Sequence, residues 1–362
     1  EFFSLLLNMS ESEGENVDQI AQPVVEEEKV DNIHGAIKQV LKKSLAEDGL
    51  VRGLNEVCKC IDRKEALLCV LAEDCEDQKY KKLVTQLCKT NNIPLIEIEK
   101  RGFSVSLGKN LFRKENQFAG SDEERLSDLN EAVRDKKVRA IFAARGGYGT
   151  TRLLKGFDGK AFNNDPKWIC GYSDITALHS HVLNSCQTLS FHSTMPVDFQ
   201  RNTTESIDSL FQLIRGESLT YEAKPHDLNR GGNGEGAMIG GNLSMIYSLL
   251  GSTAQPLTDG KILFLEDLDE YLYHIDRMMV ALDRAGILEN LAGLVVGGMN
   301  DMNDNTVTFG KTADEIIAER VASYNFPVAF NFPSGHIYDN RAWIHGKKRR
   351  LTVRNDQPSL LQ

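Results

Sequence analysis

The stretch WICGYSDITALHSHVL, residues 168–183, decides the fold. Residues 168–172 form a short apolar run of the kind that fills a strand buried on both faces. The run breaks sharply at Ser173, and residues 174–183 continue with helical spacing. A strand turning straight into a helix is half of a β–α–β unit. The same order stands upstream. Ser121-Asp122-Glu123-Glu124 caps and opens a helix that continues through Leu126, Leu129 and Val133. Residues 138–144 read as a buried strand that ends in the glycine loop Gly146-Gly147-Tyr148-Gly149, with a helix after it. Phe103–Leu107 alternates as a strand does. Repetition of strand, loop and helix predicts an α/β fold with a parallel sheet flanked by helices over residues 101–215.

Downstream, residues 216–236 are polar and end in a glycine-rich run, which predicts a linker. A second α/β domain is expected over residues 237–352. It comprises a helix after Gly240-Gly241-Asn242, strands at 261–265, 293–297 and 327–330, and helices at 275–285 and 313–322. No internal repeat is evident.

The first hundred residues differ in texture. Residues 1–8, EFFSLLLN, are too short for a signal-peptide core and lack a basic flank. They read as upstream sequence translated by accident, with Met9 as the natural start. Residues 9–30 carry Glu11, Glu13, Glu26, Glu27 and Glu28 without an apolar period, so residues 1–30 are expected to be a disordered leader. A small α/β unit follows over residues 31–99. It has a helix with Ile33, Ile37, Val40, Leu41 and Leu45 on one face, a strand at 67–72, a helix at 79–91 and a strand at 94–98.

Composition narrows the function classes. With 41% hydrophobic and 26% charged residues the chain has material for real cores. No apolar run reaches the roughly 18 to 20 residues that span a bilayer. A formal net charge of −10 argues against a general nucleic-acid binder. The seven cysteines, Cys58, Cys60, Cys69, Cys75, Cys88, Cys170 and Cys186, include no C-x-x-C pair with metal spacing. No metal site is expected, and reduced thiols fit a cytoplasmic protein.

Chemistry concentrates at strand ends. The turn Gly171-Tyr172-Ser173 presents a hydroxyl at a strand's carboxyl end and at a helix N-terminus, where free backbone N–H groups can hold an oxyanion. The pattern departs from G-x-S-x-G because Ile175 replaces the second glycine. Taken alone, Ser173 also reads as an ordinary N-cap followed by Asp174, and that bland reading is the commoner one. A nucleophilic serine needs a base, and the base needs an orienting carboxylate. His179 and His181 diverge around their helix and cannot act together. His192 follows a strand and suits a structural role. His336, in Phe332-Pro333-Ser334-Gly335-His336, lies in a loop after a strand. Glu266 and Asp267 end the apolar strand before them, at the edge where open α/β sheets carry sites. The glycine loop lacks G-x-G-x-x-G and a P-loop lysine, so no nucleotide cofactor is expected.

The segments FAGSDEERLSDLNEA, AIFAARGGYGTTRLL, ICGYSDITALH, FHSTMP, MIGGNLSMI, LFLEDLDEYLYHIDRMM and FPSGHIYDN resemble, in order and spacing, the LD-carboxypeptidase family. The resemblance covers about 250 residues. It implies a serine peptidase with Ser173 as nucleophile, Glu266 as the orienting carboxylate and His336 as base. It further implies an oxyanion hole from the backbone of Gly146 or Gly147 and of Asp174. No cofactor is implied. The implied partners are a peptide ending in a D-amino acid, of murein tetrapeptide type, and a second copy in a homodimer. Relatives that hydrolyse a peptide-nucleotide antibiotic leave that specificity open.

Residues 31–99, carried by AIKQVLKKSLAEDGLVRGLNEV and RKEALLCVLAEDCEDQKYKKLVTQLCKTNNIPLIEI, resemble eukaryotic-type small-subunit ribosomal protein twelve and the kink-turn binders. In those binders an Asn-Glu-x-x-Lys motif holds RNA, and the matching positions are Asn55, Glu56 and Lys59. A capped helix with solvated charges explains the same residues. Two incomplete resemblances meeting near residue 100 point to a joined transcript or gene model. The peptidase-like half then lacks its first strand and helix. The strand at 67–72 and helix at 79–91 are expected to dock in their place.

Overall fold

The computed structural model describes Ser4–Met9, Cys69–Leu71, Leu95–Glu97, residues 103–354 except Gln200, and Ser359–Leu361. The strands in chain order are β1 (Ser4–Met9), β2 (Cys69–Leu71), β3 (Leu95–Glu97), β4 (Phe103–Leu107), β5 (Ala140–Ala143), β6 (Trp168–Gly171), β7 (Ser190–His192), β8 (Tyr221–Ala223), β9 (Gly232–Asn242), β10 (Ile262–Leu268), β11 (Gly293–Asn300), β12 (Val328–Ala329), β13 (Trp343–His345), β14 (Lys348–Val353) and β15 (Ser359–Leu361). The helices are α1 (Asp122–Arg134), α2 (Gly159–Asn164), α3 (Thr176–Cys186), α4 (Thr204–Ile214), α5 (Leu243–Ser248), α6 (Leu272–Arg284) and α7 (Ala313–Arg320).

One sheet runs β13-β7-β6-β5-β1-β4, and a second runs β12-β11-β10-β9-β14-β15-β8. The pairs β5–β6 and β6–β7 are parallel, as are β9–β10, β10–β11 and β11–β12. All four residues of β5 are buried, because helices cover both faces of the first sheet. On one face Leu129, Val133, Phe162, Ile175 and Leu178 pack against Ile141 and Ile169. On the other, Leu210 and Phe211 of α4 join Phe142, Cys170 and Phe191. In the second sheet, Leu263, Leu265 and Leu294 meet Met278, Leu282 and Ile317 from α6 and α7. At the start of α1, Ser121 Oγ accepts from Glu124 N at 3.2 Å and Glu124 Oε2 accepts from Ser121 N at 2.9 Å. This capping box is worth about 1 kcal/mol.

Four expectations are corrected. Residues 1–30 are not wholly a leader, since Ser4–Met9 is a strand lying antiparallel between β4 and β5. The strand within 67–72 does not fill that slot; β2 pairs in parallel with β3 in a separate two-stranded sheet. Residues 216–236 are not simply a linker, because they contain β8 and the first half of β9. The glycines of β9 serve close packing: a Cβ at Gly234 would lie 1.9 Å from Ala292 O, and one at Gly236 2.3 Å from Gly260 O. Finally, residues 237–352 do not form a wholly separate second domain, for β13 returns to pair with β7 in the first sheet. Two local helices also differ. The glycine loop leads into the short 3-10 turns Thr150–Arg152 and Leu154–Gly156, and Ser173–Ile175 forms one such turn before α3. The helix at 33–45 and that at 79–91 lie outside the described residues.

The two sheets are fastened near the carboxyl ends of β6 and β9. Asn242 N donates to Thr176 Oγ1 at 3.1 Å, and Ser180 Oγ donates to Ala254 O at 2.6 Å. This contact sets the loops after the two sheets beside each other.

Candidate active site

Ser173 sits on a strained turn. Its φ is +63°, in the left-handed region that costs an L-residue about 1–2 kcal/mol. Gly171, with φ +158°, lets the chain double back, since a Cβ there would lie 2.9 Å from Ile175 Cγ1. The glycine loop closes over the serine. A Cβ at Gly146 would stand 2.9 Å from Ser173 Cβ and 3.0 Å from its Oγ, so only glycine lets the backbone come this near the hydroxyl. Gly147 follows with φ +115° and is exposed. The Asp174 carboxylate, buried behind the turn, accepts from Thr150 N at 2.8 Å and Thr150 Oγ1 at 2.6 Å. It thereby ties the far end of the loop to the turn that carries the serine.

Glu266 stands near the carboxyl end of β10, where the register with β11 shifts between Leu265 and Asp267. Such irregularities re-aim side chains beside sites. Its side chain is fully buried, and Oε2 accepts from His336 Nδ1 at 2.6 Å and from His336 N at 3.1 Å. Asn340 Oδ1 accepts from Gly335 N at 2.9 Å, and Asn300 Nδ2 donates to His336 O at 2.6 Å. The loop is thus held on both sides of the imidazole. With Nδ1 donating to the carboxylate, Nε2 is the nitrogen left for chemistry. The His336 ring lies 4.8 Å from the ring of Tyr172, the residue before Ser173. Among the described residues no hydrogen bond joins Ser173 Oγ to His336.

Burial pulls the His336 imidazole toward its neutral form. The charge and hydrogen bond of Glu266 outweigh this, with Asp267 and Asp198 adding to them, and the pKa is raised. Asp267 accepts from Asn242 Nδ2 at 2.8 Å, Ser244 N at 2.9 Å and Leu268 N at 2.9 Å. Burial and the neighbouring Glu266 nevertheless push its carboxyl up to about 7.

Sequence reasoning missed a third group. Tyr172 Oη donates to Asp198 Oδ2 at 2.8 Å, and Arg201 pairs with Asp198 at 2.7 Å and donates to Tyr172 Oη at 3.2 Å. The signal available was the position of Asp198 two residues beyond FHSTMP. Nothing in a single chain links it to Tyr172 across 26 positions. Three further histidines, His179, His192 and His345, form a buried cluster. His179 Nε2 donates to Gly171 O at 2.9 Å, and its ring lies 5.6 Å from that of His345. His192 stacks on Trp343 at 5.0 Å and meets Ser334 Oγ at 3.3 Å through Nδ1. Asn55, Glu56 and Lys59 lie outside the described residues.

Comparison with known proteins matches residues 90–193 to the LD-carboxypeptidase N-terminal domain and residues 235–351 to the LD-carboxypeptidase C-terminal domain. The probable murein peptide carboxypeptidase of Bacillus subtilis is 34% identical over 264 residues, 72% of this chain and 83% of that protein. The crystal structure of muramoyltetrapeptide carboxypeptidase from Oxalobacter formigenes superposes with a TM-score of 0.63 at 28% identity, covering 68% of this chain and 87% of that one. The microcin C7 self-immunity protein MccF shares the fold, with a TM-score of 0.63 at 20% identity over 76% of this chain and 87% of that one. Residues 35–115 match the ribosomal protein L7Ae/L30e/S12e/Gadd45 family. Small ribosomal subunit protein eS12 of Drosophila melanogaster is 50% identical over 68 residues, 19% of this chain and 49% of that protein. The ribosomal and peptidase matches overlap at residues 90–115.

Proposed function

The chain belongs to the LD-carboxypeptidase family, and on that footing we propose that it is a serine-type carboxypeptidase that releases a C-terminal D-amino acid from a murein tetrapeptide. The observation that carries the reading is the 2.6 Å contact between buried Glu266 and His336, on a loop whose imidazole faces the residue beside Ser173. In this mechanism His336 Nε2 takes the hydroxyl proton as Ser173 Oγ attacks the scissile carbonyl. The contact between them closes as substrate enters, as catalytic hydrogen bonds commonly do. Glu266 fixes the tautomer and stabilises the imidazolium. Backbone N–H groups of Gly146 or Gly147 and of Asp174 hold the oxyanion. The imidazolium then protonates the leaving D-amino acid nitrogen, leaving an acyl-serine. Water, deprotonated by His336, cleaves that ester and restores the hydroxyl.

The free thiols Cys170 and Cys186 support a cytoplasmic setting. Release of D-alanine from an L,D-tetrapeptide by the parent chain, and none by Ser173→Ala, is the expected result. Equal release by both would remove Ser173 from the mechanism. A second property rests on the likeness to eS12: contact of Asn55, Glu56 and Lys59 with RNA. It predicts salt-dependent retention of RNA that weakens in Lys59→Ala.

A further inference from the structure

An exopeptidase has to sense the end of its substrate, and the triad itself has no means of doing so. The terminal carboxylate stands one residue, about 3.8 Å, beyond the scissile carbonyl. A charge-assisted bond spans a further ~2.8 Å. A cation able to read it therefore has to lie close to the serine and histidine while keeping donors free.

Arg201 meets these conditions. Its Nη2 donates to Tyr172 Oη at 3.2 Å and pairs with Asp198 at 2.7 Å. Tyr172 is bonded in sequence to Ser173, and its ring faces that of His336 at 4.8 Å. The segment around Arg201 is seated on the histidine loop itself. Asn202 Nδ2 donates to Ile337 O at 3.2 Å and Tyr338 O at 3.1 Å, and Thr203 N donates to Tyr338 O at 2.9 Å. Arg201 N donates to Asp198 O at 3.0 Å. The guanidinium is thus held from one end only. Its Nε and Nη1 make no hydrogen bond among the described residues, and half of the side chain is open to solvent. Asp198, by contrast, is buried, so the pair presents its cationic side outward.

We propose that Arg201, positioned by Asp198 and Tyr172, receives the C-terminal carboxylate of the peptide and makes the enzyme an exopeptidase. The inference rests on the peptidase reading above and adds a specificity-determining residue to it. Arginine suits the task because its planar fork meets a carboxylate with two donors.

The test separates binding from turnover. In the Ser173→Ala background, binding of the tetrapeptide acid and of its C-terminal amide is measured by calorimetry. The acid is expected to bind about 10- to 100-fold tighter, the scale of a charged hydrogen bond. Arg201→Gln is expected to erase that ratio while leaving amide binding unchanged, and Arg201→Lys to keep part of it. A ratio that persists in Arg201→Gln overturns the proposal, as does equal or absent binding of acid and amide. D-Alanine release by the parent is scored separately. Carboxylate-dependent binding without release removes the peptidase reading and leaves the role of Arg201 standing.

Discussion

A Cβ at Gly335 would lie 2.7 Å from Glu266 Cβ and 2.8 Å from Glu266 Oε2, on a backbone with φ +106°. Glycine is therefore what allows the carboxylate to reach both the N–H and the Nδ1 of the next residue. Gly335→Ala is expected to separate Glu266 from His336, cutting kcat/KM at least 100-fold while costing roughly 2 kcal/mol of stability. Kinetics beside a urea melt would check it; an active variant of parental stability would refute the role assigned to the glycine. The same pair sets the pH profile. In the proposed mechanism His336 has to be neutral to act as base, and burial's pull toward the neutral form is outweighed by Glu266, which raises its pKa. Activity is thus expected to fall as pH drops through a value above that of an ordinary histidine. Glu266→Gln removes the charge that raises it, so the acid limb should move to lower pH while kcat falls by about 10³–10⁴. An unmoved limb would mean that a different group titrates there. Ser173, Glu266 and His336 were each legible as residues at strand ends, and the family resemblance joined them. Asp198 and Arg201 were not, because Tyr172, which ties them to the site, lies on another loop and only folding brings it to them.

At the scale of elements, the join between the sheets is where burial works against charge. His179 of α3, His192 of β7 and His345 of β13 are all enclosed, and burial lowers the pKa of each, that of His179 to about 4. Facing them are Trp343, Phe264, Tyr172 and Ser334, with His336 and Lys261 as the nearby charged groups. No carboxylate is hydrogen-bonded to any of the three rings among the described residues. In the unfolded chain these histidines titrate near 6.5. Between that value and about 4 the unfolded state binds more protons than the fold, so stability is lost as pH falls through this window. For His179 alone the loss approaches roughly 3 kcal/mol. Asp267, held near 7, opposes the trend, because it is already protonated in the fold at mildly acidic pH. Urea denaturation at pH 7.5 and 5.5 should show lower stability at the acid value. Equal stabilities would mean that the cluster is hydrated or already charged. Alternating and apolar runs made most strands legible, including β5, β6, β10 and β11. The first half of β9 escaped because Gly232, Gly234 and Gly236 lack the side chains by which a strand is recognised. Their absence is the adaptation, for Ala292 O and Gly260 O occupy the space.

For the molecule as a whole, the decisive event is the placement of β1. Nothing in EFFSLLLN announces a strand of the peptidase sheet, since an apolar run carries no record of which sheet has a vacancy for it. The vacancy is a tertiary property. It lies between β4 and β5, where Leu5 to Met9 pair with Phe103 to Leu107 on one side and Ser4 to Leu7 with Ala140 to Ala143 on the other. Both pairings are antiparallel, unlike the parallel β5–β6–β7 core, so this strand completes the hydrogen bonding without a crossover helix. The strand expected to take that position, at 67–72, pairs with β3 instead. Removal of residues 1–9 would leave one edge of β5 unpaired and sever β4 from the sheet, exposing backbone groups that costly desolvation otherwise keeps paired. The shortened chain is expected to lose amide protection at residues 103–107 and 140–143 in hydrogen exchange and to melt at lower temperature. Protection at Trp168–Gly171 should persist, because β6 keeps β7 as a neighbour. Full protection at residues 140–143 in the shortened chain would show that another segment closes the slot. Loss extending through β7 would show that β1 nucleates the whole sheet and not only its edge.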